Sequence, residues 1–111
     1  MNLSNAIVTD KLKKAEEKTE FIHEGKIYNI KKSNLLLRID HKYFYDRSLR
    51  IGEDKYYSTL YLSEKGNYFL YIMHRNCHIE IDSLSKEQAK NWLLENDMTV
   101  YKEIFGDVEE A

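Results

Sequence analysis

The feature that most constrains the fold is a pair of tyrosine-rich segments, residues 56–62 and 68–73, on either side of a short connection. Both segments are rich in aromatic and large apolar side chains, which favour strands. The connection, residues 63–67, carries Gly66 near its end, as the tight reversal of a hairpin requires. The two segments are therefore predicted to form antiparallel neighbours in a sheet.

A third strand and a capped helix follow this hairpin. In residues 77–82, Ile79 and Ile81 alternate with polar side chains, the pattern of a strand with one buried face. Ser85 is followed three residues later by Gln88, which predicts a helix start with two reciprocal capping bonds. The result is a three-stranded meander with a helix lying across it.

The remaining segments complete an α+β prediction. Residues 4–18 favour a helix, and residues 21–30 contain Glu24-Gly25-Lys26, the signal of a second hairpin. Residues 35–45 fit either one long bent strand or a further hairpin, and a short last helix ends at Gly106. We expect a single α+β domain over residues 1–111, with a helix and hairpin part (1–54) and a meander and two-helix part (55–111). Its elements are an N-terminal helix, a mostly antiparallel twisted sheet and two C-terminal helices packed on the sheet.

Composition and charge indicate a soluble, cytoplasmic protein. No apolar run approaches the ~20 residues of a membrane-spanning helix, and the first ten residues lack the pattern of a secretory signal. Cys77 is the only cysteine, which fits a reducing compartment. The net charge of −2 conceals an asymmetry: residues 1–55 carry 12 Lys and Arg against 9 Asp and Glu, whereas residues 56–111 carry 5 against 10. The two halves therefore carry net charges of opposite sign.

No catalytic, cofactor or metal motif is evident. The four glycines are too far apart to form a phosphate-binding loop or a dinucleotide fingerprint. Cys77 is interpreted as a small buried residue rather than a nucleophile, because no base is paired with it in sequence. His74, His78 and Glu80 would share one face of a continuous strand, but a single cluster of this kind is weak support for zinc. We expect a protein that is not an enzyme and that holds neither metal nor cofactor; a small enzyme or metal protein built on this strand ranks third.

Two sets of side chains are candidates for binding a protein partner. The C-terminal segment is strongly acidic, which suits a basic partner. Tyrosines on one strand face offer large contact area with a polar tip, which suits an interface, unless the sheet is packed on both sides. The candidate acidic residues are Glu95, Asp97, Glu103 and Asp107, and the candidate aromatic residues are Tyr57, Tyr61 and Tyr71.

The basic first half supports an alternative, direct nucleic-acid binding. Its lysines and arginines alternate with tyrosine and phenylalanine, the side-chain types that contact phosphates and stack on bases. Acidic residues are interspersed, however, and no established nucleic-acid-binding motif is present. The candidate contacts for this alternative are Lys31, Lys32, Arg47 and Arg50.

The C-terminal half resembles a small uncharacterised accessory module of bacterial plasmids and phages. Three stretches carry the resemblance: residues 60–70, residues 81–93 around the helix start, and residues 101–110 with Tyr-Lys-Glu-Ile-Phe-Gly. Some proteins of this general type are anti-CRISPR inhibitors. The resemblance implies a mobile-element protein that blocks a CRISPR effector nuclease by binding it, and it implies no catalytic residues. Residues 1–54 lie outside it.

Overall fold

The computed structural model describes residues 3–41, 45–46, 51–52 and 55–108. Along these residues one helix is followed by a run of antiparallel strands and then by two helices, and the predicted α+β class is confirmed. The helices are α1 (Leu3–Glu17), α2 (Lys86–Asn96) and α3 (Met98–Phe105). The strands are β1 (Glu20–His23), β2 (Lys26–Asn29), β3 (Asn34–Asp40), β4 (Tyr45–Asp46), β5 (Ile51–Gly52), β6 (Lys55–Leu62), β7 (Tyr68–His74) and β8 (Ile79–Leu84).

A four-stranded antiparallel sheet with the strand order β3-β6-β7-β8 organises the fold. The strands β6, β7 and β8 form the predicted meander. In its hairpin, Leu62 pairs with Tyr68 and Leu60 with Leu70, so the reversal occupies residues 63–67 as expected. The third strand was predicted over residues 77–82 and spans Ile79–Leu84 instead, because residues 75–78 form the turn between β7 and β8.

The edge strand β3 contains a bulge. Its register against β6 shifts between Leu35 and Leu37. Consecutive leucines, Leu36 and Leu37, consequently both pack against the same hydrophobic cluster, which strict alternation would not allow. The sequence of residues 35–45 is compatible with either one long bent strand or a hairpin. In the structure, β3 ends at Asp40, and β4 pairs with β5 in a separate two-stranded sheet.

The two faces of the central sheet are covered by different parts of the chain. On one face, Phe21 and Tyr28 of the hairpin β1–β2 join the strand aromatics in one cluster, with Leu12 of α1 packed beside them. On the other face, Ala89 and Leu93 of α2 are fully buried against the apolar side chains of β6 and β7. The sheet is therefore the middle of three layers, in agreement with the alternative in which both of its faces are packed against other parts of the chain.

The hairpin β1–β2 is joined by the turn that the sequence indicates. The strands pair antiparallel, with Glu20 opposite Asn29 and His23 opposite Lys26. The two connecting residues both have positive φ, 50° at Glu24 and 77° at Gly25. Two such residues define a type I′ turn, whose twist matches that of paired strands.

The C-terminal helices begin and end at specific caps. The Ser85 hydroxyl accepts a hydrogen bond from the Gln88 amide at 3.1 Å, and Gln88 Oε1 accepts one from the Ser85 amide at 2.8 Å, which confirms the predicted capping box. Gly106 ends α3 with a φ of 91°, and its amide donates to the Lys102 carbonyl. Its ψ of −174° is extended rather than helical, so the predicted left-handed cap is correct in φ alone. No helix among the described residues is long and apolar enough to cross a membrane.

The turn between β7 and β8 places Cys77 in an unfavourable backbone conformation. The Cys77 amide donates to the His74 carbonyl at 2.9 Å, and the His74 amide donates to the His78 carbonyl at 2.8 Å. The φ of Cys77 is 66°, a region that residues with a Cβ rarely adopt. Cys77 is half-buried in a turn, so its interpretation as a small buried residue is corrected.

Replacing Cys77 with glycine is expected to stabilise the protein by about 0.5–1 kcal/mol. Glycine removes the conformational cost of a positive φ in the folded protein. It also raises the conformational entropy of the unfolded chain, which offsets part of the gain in stability. Urea unfolding measures the difference. The matched control is Cys77→Ala, which removes the thiol but keeps the Cβ; stabilisation by alanine equal to that by glycine would show that the backbone conformation is not the cause.

Candidate functional site

The acidic residues predicted from the sequence lie along the end of α2, on α3 and just after it. Glu95, Glu103 and Asp107 are exposed. Within the described residues, none of these three carboxylates forms an ion pair. Their charges therefore face solvent without an ion-pair partner among the described residues, which is an arrangement that attracts a basic partner.

Asp97 differs from the other three because its carboxylate caps a helix. Asp97 Oδ1 accepts hydrogen bonds from the Thr99 amide at 3.0 Å and the Val100 amide at 3.2 Å. The same residue ends α2, since its own amide donates to the Leu93 carbonyl. An aspartate directly before a helix is a sequence signal for such a cap. The side chain thus stabilises the junction of α2 and α3, and it is half-buried rather than freely displayed.

Exposed apolar side chains lie among these acids. Met98 is 51% exposed, and Ile104 and Val108 are also exposed, whereas Tyr101 and Phe105 of α3 pack inward against the sheet cluster. Apolar contact area surrounded by charge is a common composition of protein interfaces. We call Glu95, Glu103 and Asp107 together with Met98, Ile104 and Val108 the C-terminal acidic surface.

The predicted aromatic face is internal. Tyr57 is 4% exposed and Tyr71 6% exposed, and Tyr61 is half-buried. The Tyr57 and Tyr71 rings stack with their centroids 6.1 Å apart, and the edge of Phe21 from β1 meets Tyr71 at 5.8 Å. The hairpin β1–β2 and α1 therefore cover the face on which the tyrosines were expected to meet a partner, and the rings serve the core instead.

The buried phenols remain protonated. Burial raises the pKa of Tyr57 well above its ordinary value, and its hydrogen bond to Glu16 raises it further. Burial raises the pKa of Tyr71 to about 12 and also raises the pKa of Tyr61. Neutral phenols at physiological pH donate hydrogen bonds and pack, so this cluster has the chemistry of a core rather than of a general base.

The structure describes two of the four basic residues that were predicted to bind nucleic acid. Lys31 and Lys32 are exposed in the turn that follows β2. Arg47 and Arg50 lie outside the described residues. Nucleic-acid binding by these four side chains stays a prediction.

In the histidine cluster beside the β7–β8 turn, His74 pairs with Glu80 and lies beside His78. His74 Nε2 lies 3.2 Å from Glu80 Oε1, and the His74 and His78 rings are 5.8 Å apart. Across residues 3–41, 45–46, 51–52 and 55–108, no three histidine, cysteine or carboxylate side chains come together in a way that would hold a metal ion.

One feature near the other turns has no counterpart in the sequence predictions. A groove of about 470 Å³ lies between the turn of hairpin β1–β2, the turn after β2 and the β6–β7 turn. Lys32, one of the predicted basic residues, lines it together with Lys26 and Lys65, which were not singled out. Lys26 begins β2 and Lys32 lies in the turn after it, whereas Lys65 lies in the distant β6–β7 turn, so no local pattern predicts that the three line one groove.

No protein-family model, curated protein or solved structure matches the chain. The likeness of residues 60–110 to an accessory module of mobile elements therefore stays a prediction that rests on the residues themselves.

Proposed function

We propose that this protein is a non-enzymatic inhibitor encoded by a mobile element, and that it binds a CRISPR effector nuclease through the C-terminal acidic surface. The observation that carries the proposal is the display of unpaired carboxylates with exposed apolar side chains at one end of the chain. The resemblance of the same segment to accessory modules of plasmids and phages supports the choice of target.

Such inhibition needs a surface and no chemical step. A nuclease that binds nucleic acid presents a basic channel, and a protein surface with fixed negative charges competes for it. Glu95, Glu103 and Asp107 supply the charges. Met98 and Ile104 add apolar area that is removed from water on binding, which contributes affinity that phosphate mimicry alone lacks.

Reversing the three exposed charges is expected to slow association with the effector by about tenfold at low salt, because complementary charge acts mainly on the association rate. The variant carries Glu95→Lys, Glu103→Lys and Asp107→Lys. Asp97 is left unchanged, since losing its cap would destabilise α3 and confuse the result. Surface plasmon resonance against a panel of purified CRISPR effector nucleases, at two salt concentrations, measures the rates, and a DNA-cleavage assay measures inhibition.

The matched control carries Glu17→Lys, Glu64→Lys and Asp82→Lys, three exposed acids elsewhere on the chain, with the same change in net charge. This control is expected to bind and inhibit nearly as the unchanged protein does. Equal losses in the two variants would attribute the effect to net charge rather than to the C-terminal acidic surface. Failure of the unchanged protein to bind or inhibit any effector in the panel would contradict the proposed target.

A further inference from the structure

Hydrogen bonds hold two of the three connections that line the groove, the turn after β2 and the β6–β7 turn. Asn29 Oδ1 accepts from the Lys32 amide at 3.2 Å, and the Ser33 hydroxyl donates to the Asn29 carbonyl at 2.7 Å. On the opposite wall, the Asn67 amide donates to the Ser63 hydroxyl at 3.0 Å. The walls are thus ordered by the protein itself, as in binding sites that are largely pre-formed.

The charge of the groove is opposite to that of the whole chain. Lys26, Lys32 and Lys65 line it against one acid, Glu64, in a protein with a net charge of −2. Among the described residues, none of the three lysines takes part in an ion pair. Three like charges around one concavity repel one another unless an anion lies between them. Compact ammonium groups of this kind are common ligands of phosphate.

The groove also offers apolar contact. Ile27, which lines it, is 70% exposed, although it is a large aliphatic side chain on a strand. A volume of about 470 Å³ lies within the range of small-molecule sites and exceeds what inorganic phosphate needs. A ligand that satisfies both the lysines and Ile27 therefore combines phosphate with a less polar group.

We propose that this groove binds a phosphorylated small molecule of about nucleotide size, with its phosphates among Lys26, Lys32 and Lys65 and its less polar part against Ile27. The site shares no residue with the C-terminal acidic surface. The proposal is therefore independent of the inhibitor function, and either can fail while the other stands.

The test is a titration of the isotope-labelled full chain, followed by nuclear magnetic resonance of its backbone amides. The probes are inorganic pyrophosphate, adenosine diphosphate and adenosine. Both phosphate probes are expected to give saturable shifts at the amides that line the groove. Adenosine diphosphate should bind more tightly than pyrophosphate because it adds the contact with Ile27, and adenosine alone should give no saturable shift.

Single charge removals locate the site. Lys26→Gln, Lys32→Gln and Lys65→Gln are each expected to weaken binding of adenosine diphosphate about fivefold, the factor for losing one solvent-screened charge close to a phosphate. Lys31→Gln is the matched control, because Lys31 is exposed and adjacent in sequence to Lys32 but does not line the groove. It should leave the affinity unchanged.

Three results would overturn the proposal. The first is the absence of saturable shifts with either phosphate probe. The second is a loss of affinity in Lys31→Gln as large as that in Lys32→Gln, which would indicate general attraction to a basic segment. The third is equal affinity for pyrophosphate and adenosine diphosphate, which would remove the assignment to a nucleotide-sized ligand.

Discussion

Replacing Phe69 with alanine is expected to lower the free energy of unfolding by about 3–5 kcal/mol, the cost of removing a large aromatic side chain from a packed core. Phe69 is fully buried on β7, with the Tyr28 ring 4.9 Å away and the Tyr61 ring 5.4 Å away. Since Tyr28 belongs to the hairpin β1–β2, the cavity also removes a contact that holds this hairpin on the sheet. Urea unfolding gives the energy, and amide hydrogen exchange in β1 and β2 reports the loosened hairpin.

The matched control for this substitution is Ile22→Ala. Ile22 lies on the same hairpin but is 80% exposed, so its truncation is expected to change stability by less than about 0.5 kcal/mol. If Phe69→Ala cost no more than Ile22→Ala, the hairpin would not be packed on the aromatic face of the sheet. The tyrosines of that face would then return as candidates for an interface.

The elements that could be predicted are those whose signals are local. The β6–β7 hairpin follows from two apolar segments and a glycine within a few residues, and the start of α2 follows from Ser85 and Gln88 alone. The type I′ turn at Glu24 and Gly25 is equally local, because it depends on which residues tolerate positive φ. Each of these elements is determined by residues that are close together in the sequence.

What could not be predicted depends on contacts between distant segments. The pairing of β3 with β6 and its bulge depend on which cluster Leu36 and Leu37 join, and alternation alone does not decide this. Whether Tyr57 and Tyr71 face a partner or the core depends on where the hairpin β1–β2 docks. Strand periodicity places the rings on one face without showing what covers that face.

The same distinction applies to the candidate sites. The exposure of Glu95, Glu103 and Asp107 follows the general behaviour of charged side chains, so a charge run predicts it well. The groove, by contrast, exists because the start of β2 and the separate β6–β7 turn bring Lys26 and Lys65 to one concavity. The positions of these lysines in the sequence do not show that they line one groove, because this depends on how the strands pair.

Raising the pH above 10 is expected to destabilise the protein by about 2 kcal/mol at pH 12 through Tyr71 alone, and by more once Tyr57 is included. In the unfolded chain these phenols ionise near their ordinary pKa of about 10. In the folded protein, burial raises the pKa of Tyr71 to about 12 and that of Tyr57 still further. Between those values the unfolded state binds fewer protons than the folded state, so stability falls as the pH rises.

The variant that isolates this effect is Tyr71→Phe, which keeps the ring and its packing but removes the ionising group. Urea unfolding from pH 9 to pH 12 is expected to show a shallower loss of stability in Tyr71→Phe than in the unchanged protein. Tyr56→Phe is the control, because Tyr56 lies on β6 of the same sheet but is exposed. Lysines also titrate in this range, but they do so equally in all three proteins, so the difference reports the phenol. Identical slopes in Tyr71→Phe and the unchanged protein would mean that solvent reaches the Tyr71 hydroxyl in the folded state and that the aromatic face is not sealed by the hairpin.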